Sequence, residues 1–227
     1  GRVDRQIAAL VDADGARSFA YTYFAASAQA QYKYSYSDTA FTTLVVTYEY
    51  NLSGVIIKKT LASGTIYTYY VSGRLESTTL TAPDASGNIY YHYIDEIASR
   101  MDKSKRSVLD SDGCLSHDYS YSAVTTTRVI TKRGYSDAAW TTLKLTYSYY
   151  DNATNRLSSK TLVAADSFGN TYYRYIDENW LSTGFGRVDR QIAAVADADG
   201  ARSFAYTYFA SSAQVQYKYS YSDTAFT

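Results

Sequence analysis

Residues 143–149 read Leu-Lys-Leu-Thr-Tyr-Ser-Tyr, and this stretch decides the fold class. Its apolar and aromatic side chains alternate with Lys144, Thr146 and Ser148, so that the pattern repeats every two residues. Such a period, combined with β-branched and aromatic enrichment, is typical of a β-strand with one dry face and one wetter face. Residues 44–50, Leu-Val-Val-Thr-Tyr-Glu-Tyr, predict a second strand of the same kind.

Both stretches end in a Tyr-x-Tyr doublet, and this doublet recurs along the whole chain. Tyr accounts for 27 of the 227 residues, against 8 Phe and 2 Trp. Repeated doublets of this kind predict a structural ladder of Tyr side chains on successive hairpins. The doublets are Tyr21/Tyr23, Tyr48/Tyr50, Tyr67/Tyr69, Tyr91/Tyr93, Tyr119/Tyr121, Tyr147/Tyr149, Tyr173/Tyr175 and Tyr206/Tyr208.

A longer repeat contains the shorter one. Residues 1–42 recur as residues 186–227, an offset of 185, and only four positions differ between the two copies. We therefore expect residues 1–185 to form one super-repeat of about seven Tyr-x-Tyr hairpin units, and residues 186–227 to begin the next, within a longer tandem array. Two strands per doublet predict about 14 antiparallel strands per period, negligible helix and no separate globular domain.

Turn signals separate the expected strands. Asp-Gly dipeptides at 14–15, 112–113 and 199–200 predict tight type I′ turns, because both residues tolerate positive φ. A strand with basic residues, such as Lys59, precedes each turn, and a tyrosine strand follows it. This order predicts Lys or Arg side chains lying over Tyr rings on neighbouring strands.

Residues 67–75, Tyr-Thr-Tyr-Tyr-Val-Ser-Gly-Arg-Leu, resemble the Tyr-x-Tyr-Asp-x-x-Gly-Arg-Leu signature of Rhs/YD repeats. Residues 147–157 are similar with an insertion, and residues 48–54 have Asn51 in place of the Asp. The resemblance implies an all-β fold, in which a continuous antiparallel sheet of tandem hairpins curls into a spiral, tube or solenoid-like filament. It also implies a role as the wall of a shell that encloses a toxin.

Composition excludes several classes of function. Lys+Arg 22 balance Asp+Glu 22, so the chain lacks the charge of a nucleic-acid binder. It contains no apolar run long enough for a membrane-spanning helix. No nucleophile motif, phosphate-binding loop or metalloprotease motif is present, so we expect neither an enzyme nor a cofactor.

The densest polar cluster lies in residues 110–117, Asp-Ser-Asp-Gly-Cys-Leu-Ser-His. Asp112, Cys114 and His117 could converge on a metal ion, and Asp110 is a further candidate ligand beside Asp112 and His117. The competing interpretation is a hairpin turn with alternating side chains, and we expect that one to hold. Cys114 is the only Cys, so it is expected to be a half-buried strand residue or, alternatively, a crosslink between chains.

Three functions are compatible with these features. The first is a structural segment of a long secreted repeat protein, which forms an extracellular fibre, sheath or surface stalk by association with further copies of itself. The second is the wall of an Rhs-type toxin-encapsulating shell. The third is a repeat adhesin that binds glycans through loop aromatics, with Trp140 and Trp180 as the contact residues. All three place the protein outside the cell or at its surface.

Overall fold

The computed structural model describes residues 2–94, 100–124, 127–152, 156–176, 187–209 and 212–227. These residues form 17 antiparallel strands and no helix, which confirms the all-β expectation. The chain divides into two compact units, Gly1–Val108 and Leu109–Thr227. In each unit, strands that follow one another in the sequence pair side by side as hairpins.

The strands of the first unit are β1 (Arg5–Ile7), β2 (Ser18–Tyr23), β3 (Ala30–Tyr36), β4 (Leu44–Tyr50), β5 (Ile56–Leu61), β6 (Ile66–Tyr69), β7 (Leu75–Thr79), β8 (Asn88–Tyr93) and β9 (Met101–Arg106). Those of the second are β10 (Ser116–Tyr121), β11 (Val129–Tyr135), β12 (Leu143–Tyr149), β13 (Leu157–Leu162), β14 (Asn170–Tyr175), β15 (Val188–Ala193), β16 (Ser203–Tyr208) and β17 (Val215–Tyr221). In the described residues, 14 strands precede β16 when the count begins at β2, its copy, as the doublets predict.

The Tyr-x-Tyr doublets occupy the ends of strands. Every even-numbered strand, from β2 to β16, ends at the second Tyr of a doublet. The register of pairing shifts by one residue immediately before that Tyr in each case, as between Thr22 and Tyr23 or between Ser148 and Tyr149. Such a bulge bends the strand locally and increases its twist. Each doublet therefore marks both a strand end and a point of extra twist.

The Asp-Gly turns differ from the expected type. In the first of them, the Asp12 carbonyl accepts the Gly15 N–H at 3.0 Å, and the Asp12 N–H donates to the Ala16 carbonyl at 2.9 Å. Gly15 has φ 80°, whereas Asp14 is not among the residues with positive φ. The type I′ prediction is wrong, because that turn needs positive φ at both positions; this is a type I turn followed by a glycine bulge.

The physical reason lies in Asp12, two residues before the Asp-Gly pair. The Asp12 carboxylate accepts the N–H groups of Asp14 and Ala16 at 3.0 and 2.9 Å, which fixes the turn in its right-handed form. The turns at 110–114 and 197–201 have the same hydrogen bonds.

The expected alternation of a dry and a wetter face is also wrong. In β12, Leu145 is buried, but Thr146, Tyr147 and their neighbours up to Tyr149 are all half-buried. Among the described strands of each unit, a strand packs only against its neighbours in sequence, so that no second layer covers either face. Full burial is limited to a few side chains, many of them small, such as Val46 and Ser116.

The strand pairing also shows that one hairpin has an internal copy at an offset shorter than 185 residues. Ser18 pairs with Tyr36 in β2–β3, Ser116 with Tyr135 in β10–β11, and Ser203 with Tyr221 in β16–β17. In all three hairpins the buried Ser hydroxyl donates to the carbonyl of an Asp in the following loop, at 2.5 to 2.6 Å. The hairpin β2–β3 thus has two structural copies, β10–β11 and β16–β17.

Candidate functional site

The first unit contains a cluster of three polar side chains, which we call the first clamp: Asp14, Tyr48 and Lys59. Asp14 lies in the turn before β2, whereas Tyr48 on β4 and Lys59 on β5 are directly opposite each other in the strand pairing. Lys59 Nζ lies 2.6 Å from Asp14 Oδ1, and the Tyr48 hydroxyl donates a hydrogen bond to Asp14 Oδ2. The clamp therefore fixes a turn to two strands that come 34 and 45 residues later.

The second unit repeats this arrangement in a second clamp, formed by Asp112, Tyr147 and Lys160. Lys160 Nζ lies 2.7 Å from Asp112 Oδ1, and the Tyr147 hydroxyl donates to Asp112 Oδ2. Tyr147 on β12 and Lys160 on β13 are again paired directly. The same three residue types thus hold equivalent positions in both units.

Electrostatics hold each clamp in one protonation state. The hydrogen bonds from Lys59 and Tyr48 lower the pKa of Asp14, so that its carboxylate stays ionised. Burial, together with the hydrogen bond to Asp14, raises the pKa of Tyr48. In the second clamp, partial burial would raise the pKa of Asp112, but the hydrogen bonds from Lys160 and Tyr147 outweigh it and the pKa is lowered.

Lysine ammonium groups also lie over the clamp tyrosines. Lys33 Nζ and Lys59 Nζ are 5.4 and 5.5 Å from the centroid of the Tyr48 ring. Lys132 Nζ and Lys160 Nζ are 5.4 and 5.6 Å from the Tyr147 centroid. The prediction that basic side chains lie over Tyr rings on neighbouring strands is confirmed, and each contact stabilises the sheet by about 0.5–1 kcal/mol.

Each clamp connects a turn to two strands through its side chains. The Tyr proton is held firmly and the Asp is ionised, so neither group is prepared to give or take a proton near neutral pH. A second kind of Asp–Tyr pair lies within single hairpins: Tyr91 donates to Asp84, and Tyr173 donates to Asp166. Burial and the hydrogen bond to Asp166 raise the pKa of Tyr173 to about 12.

The structure brings together three of the candidate residues from 110–117, in a group that we call the Asp–Cys–His cluster: Asp110, Cys114 and His117. Their potential ligand atoms all lie within 4.8 Å of one another. Asp110 Oδ2 is 3.1 Å from His117 Nε2. Asp112, the other acidic candidate, belongs to the second clamp instead, because the turn directs its carboxylate toward β12 and β13.

The position and burial of Cys114 differ from those expected from the sequence. It lies in the turn before β10 and is fully buried, whereas a half-buried strand residue was expected. Burial and the nearby carboxylates of Asp110 and Asp112 raise the pKa of its thiol to about 11. A buried, protonated thiol is a poor crosslinking group, so the structure does not support the alternative of a bond between chains.

The loop aromatics proposed for glycan binding are only partly described. Trp140 is half-buried in the loop between β11 and β12, where its Nε1–H donates to the His117 carbonyl at 2.9 Å. This hydrogen bond and a backbone φ of 59° fix the residue as part of the fold. Trp180 lies outside the described residues.

Together, the fold and the clamps define a class of protein, in which tandem antiparallel β-hairpins are joined by Tyr–Asp–Lys contacts. The chain matches no known family profile, and no curated protein is significantly similar to it. In the part of the chain that the structure describes, no helix has the length and hydrophobicity that a membrane span requires.

Solved structures provide a distant likeness. The chain is similar to the crystal structure of TcdB2-TccC3, which has Rhs/YD repeats, and to the same complex without its hypervariable C-terminal region. Each match has 13% identity and a TM-score of 0.30, and covers 86% of this chain. The chain spans only 11% of the length of those neighbours. A likeness at this level decides neither the fold nor the function of this chain.

Proposed function

We propose that this chain is a structural segment of a long secreted repeat protein, which builds an extracellular fibre, sheath or surface stalk by adding copy to copy. The observation that carries the proposal is the equivalence of β2–β3 and β16–β17, which lie 185 residues apart and have the same register of pairing. Successive copies therefore present the same strand edges, as a repeating assembly requires.

The edge of β17 supports addition of a further strand. In β3, Tyr32 and Tyr34 are half-buried, because β4 pairs along the outer edge of that strand. In β17 the equivalent Tyr217 and Tyr219 are 57% and 48% exposed. An exposed strand edge is a template for pairing with a further strand, and here the strand that fits it is a second copy of β4.

The turn before β16 contains the acidic residue of a clamp. Asp199 occupies the turn position of Asp14 in the copied segment, and its backbone makes the equivalent turn hydrogen bonds. Asp199 is exposed, so that its carboxylate is accessible to a Tyr–Lys pair like that of Tyr48 and Lys59. A second copy of β4 and β5 would supply both side chains at once.

The test offers that hairpin to the chain as a peptide. Residues 43–62, which contain β4 and β5, should bind the 227-residue chain and protect the amides of residues 215–221 from hydrogen exchange. They should also suppress the concentration-dependent association of the chain, measured by sedimentation. The matched control peptide, with Tyr48→Phe and Lys59→Met, retains the strand edge but lacks the clamp groups and should bind more weakly.

Two results would count against the proposal. One is a chain that sediments as a monomer at every concentration, with no protection at residues 215–221 when the peptide is added. The other is equal binding of the peptide and its control, which would show that the clamp does not direct the pairing. The extracellular location is tested separately, by immunogold labelling of intact cells.

A second candidate, the wall of an Rhs-type shell, rests on residues 67–75. In this segment the Tyr70 N–H donates to the Arg74 carbonyl at 2.9 Å, and Gly73 has φ 83°. The glycine of the resemblance thus occupies a position that needs a left-handed backbone. A gene in which these repeats precede a variable C-terminal toxin would favour the shell, whereas many near-identical 185-residue copies would favour the fibre.

A further inference from the structure

We propose that the Asp–Cys–His cluster is a Zn²⁺ site, in which Asp110, Cys114 and His117 are the protein ligands. Carboxylate oxygen, thiolate sulfur and imidazole nitrogen are the three donor types that Zn²⁺ takes from proteins. The donor atoms lie within 4.8 Å of one another, close enough for small side-chain rotations to bring them around one ion.

The turn positions these ligands before any metal is present. Asp110 Oδ1 accepts the N–H groups of Asp112 and Cys114 at 3.0 and 2.8 Å, which fixes the carboxylate in place. Its second oxygen remains directed at His117 Nε2, 3.1 Å away. Cys114 has no exposed surface and His117 only 3%, whereas the Asp110 side chain is 17% exposed. A metal would thus enter from the Asp110 side, where solvent can supply a fourth ligand.

The two internal copies of this hairpin provide an independent observation. At the positions of Asp110, Cys114 and His117, the first copy has Asp12, Ala16 and Phe19. The second has Asp, Ala and Phe again, at 197, 201 and 204. The capping Asp is common to all three turns, but the thiol and the imidazole occur together in only one of them. Ordinary packing is satisfied by Ala and Phe, so the paired change to Cys and His calls for another reason.

A third difference makes room for the sulfur. Gly134 pairs with His117 across β10–β11, at the position where Ser35 pairs with Phe19 and Ser220 pairs with Phe204. A Cβ atom at position 134 would lie 2.6 Å from Cys114 Sγ, a clash that the glycine avoids. Three substitutions relative to both copies therefore converge on this one site.

The local charge favours a cation. The Asp110 carboxylate lies within 4.8 Å of both the Cys114 sulfur and a ring nitrogen of His117. Metal binding would neutralise part of this negative charge. The Cys114 proton would leave to solvent as the sulfur–zinc bond forms, so that each Zn²⁺ bound releases one thiol proton.

The experiment measures Zn²⁺ binding to the untagged 227-residue chain by equilibrium dialysis. We expect one Zn²⁺ per chain, a higher melting temperature, and a thiolate-to-metal charge-transfer band when Co²⁺ replaces Zn²⁺. Cys114→Ala and His117→Phe each install the residue found in the internal copies, so both variants should fold. Each should lose more than the roughly 10–100-fold in affinity that removal of a mere supporting residue costs.

Two further variants separate ligation from folding. Asp110→Asn retains the turn cap, because Asn51 caps the turn at 51–55 in the same way, and should weaken Zn²⁺ binding. His92→Phe removes the other histidine and should leave the affinity and stoichiometry unchanged. The proposal is overturned if the chain binds no Zn²⁺ at a one-to-one ratio, or if binding survives both Cys114→Ala and His117→Phe. Melting curves of each variant without metal confirm that it is folded.

Discussion

Two neighbouring carboxylates, Asp110 and Asp112, show how position within a single turn determines a role. Asp110 caps the turn through its own backbone neighbours and faces His117. The Asp112 carboxylate, two residues later, is directed elsewhere and accepts hydrogen bonds from Lys160 and Tyr147. One therefore stabilises the local structure, whereas the other connects strands that are far apart in sequence.

The clamp makes a direct prediction at Tyr147. Replacing Tyr147 by Phe removes the hydroxyl that donates to Asp112 but retains the ring under the two lysines. We expect the free energy of unfolding to fall by about 1–2 kcal/mol, because a hydrogen bond to a charged acceptor is lost. Urea denaturation measures this change. Tyr217→Phe, at an exposed position in β17, is the control and should have almost no effect.

The packing of Cys114 against Gly134 predicts a coupled pair. Gly134→Ser should destabilise the chain by about 1–3 kcal/mol, since its Cβ would meet the Cys114 sulfur. The double variant with Cys114→Ala recreates the Ala and Ser of the hairpin β2–β3 and should recover most of that loss. A double-mutant cycle by urea denaturation gives the coupling. Simple additivity of the two changes would contradict the packing described here.

Individual contacts of this kind lie beyond what the sequence could predict. The cluster in residues 110–117 was recognisable by composition, but Asp110 and Asp112 were equivalent candidates. Their difference depends on β12 and β13, whose residues lie 35 and 48 positions away from Asp112. Likewise, the need for a glycine at position 134 follows only from the strand register, which brings this residue next to the Cys114 sulfur.

At the level of the element, the strands of each hairpin could be predicted from the sequence, whereas the bulges and turns that connect them could be predicted less well. The period of two in residues 143–149 correctly indicated β12, and every doublet marked the end of a strand. The bulge before each second Tyr was not foreseen, because a bulge is a property of two paired strands rather than of one. The turn type was also missed, since the Asp that caps the turn stands before the Asp-Gly pair.

The turns predict the effect of a substitution at Gly169. This residue has φ 82°, and a Cβ there would meet nothing within 4 Å, so that backbone strain is the only cost of adding one. Gly169→Ala should destabilise the chain by about 1–2 kcal/mol in urea denaturation. Gly169→Asn should cost less, because Asn tolerates the left-handed region. Equal losses for Ala and Asn would indicate that something other than φ limits the site.

At the scale of the whole molecule, the tyrosines give the chain a characteristic response to alkali. Burial is the leading cause that raises the pKa of Tyr135 and Tyr173 to about 12, and a hydrogen bond to an Asp adds to it in each case. A group whose pKa is higher in the folded state stabilises that state fully below the unfolded pKa of about 10. This contribution disappears as the pH rises through the folded value.

We therefore expect stability to fall between about pH 10 and pH 12, with tyrosinate forming as the chain unfolds. Tyrosinate absorbance and far-UV circular dichroism, followed through one titration, should change together. Gradual ionisation with a midpoint near pH 10, while the strands persist, would contradict the buried and hydrogen-bonded state of these hydroxyls.

The central claim is that copies offset by 185 residues join in register into a regular filament. Fourteen strands at about 4.8 Å would advance about 67 Å per period if they crossed a straight axis, and twist and curling would shorten this. The most direct measurement is the axial repeat of the native material by electron microscopy. The account predicts a filament with a repeat between about 20 and 67 Å. Closed particles, or a filament without such a repeat, would contradict it.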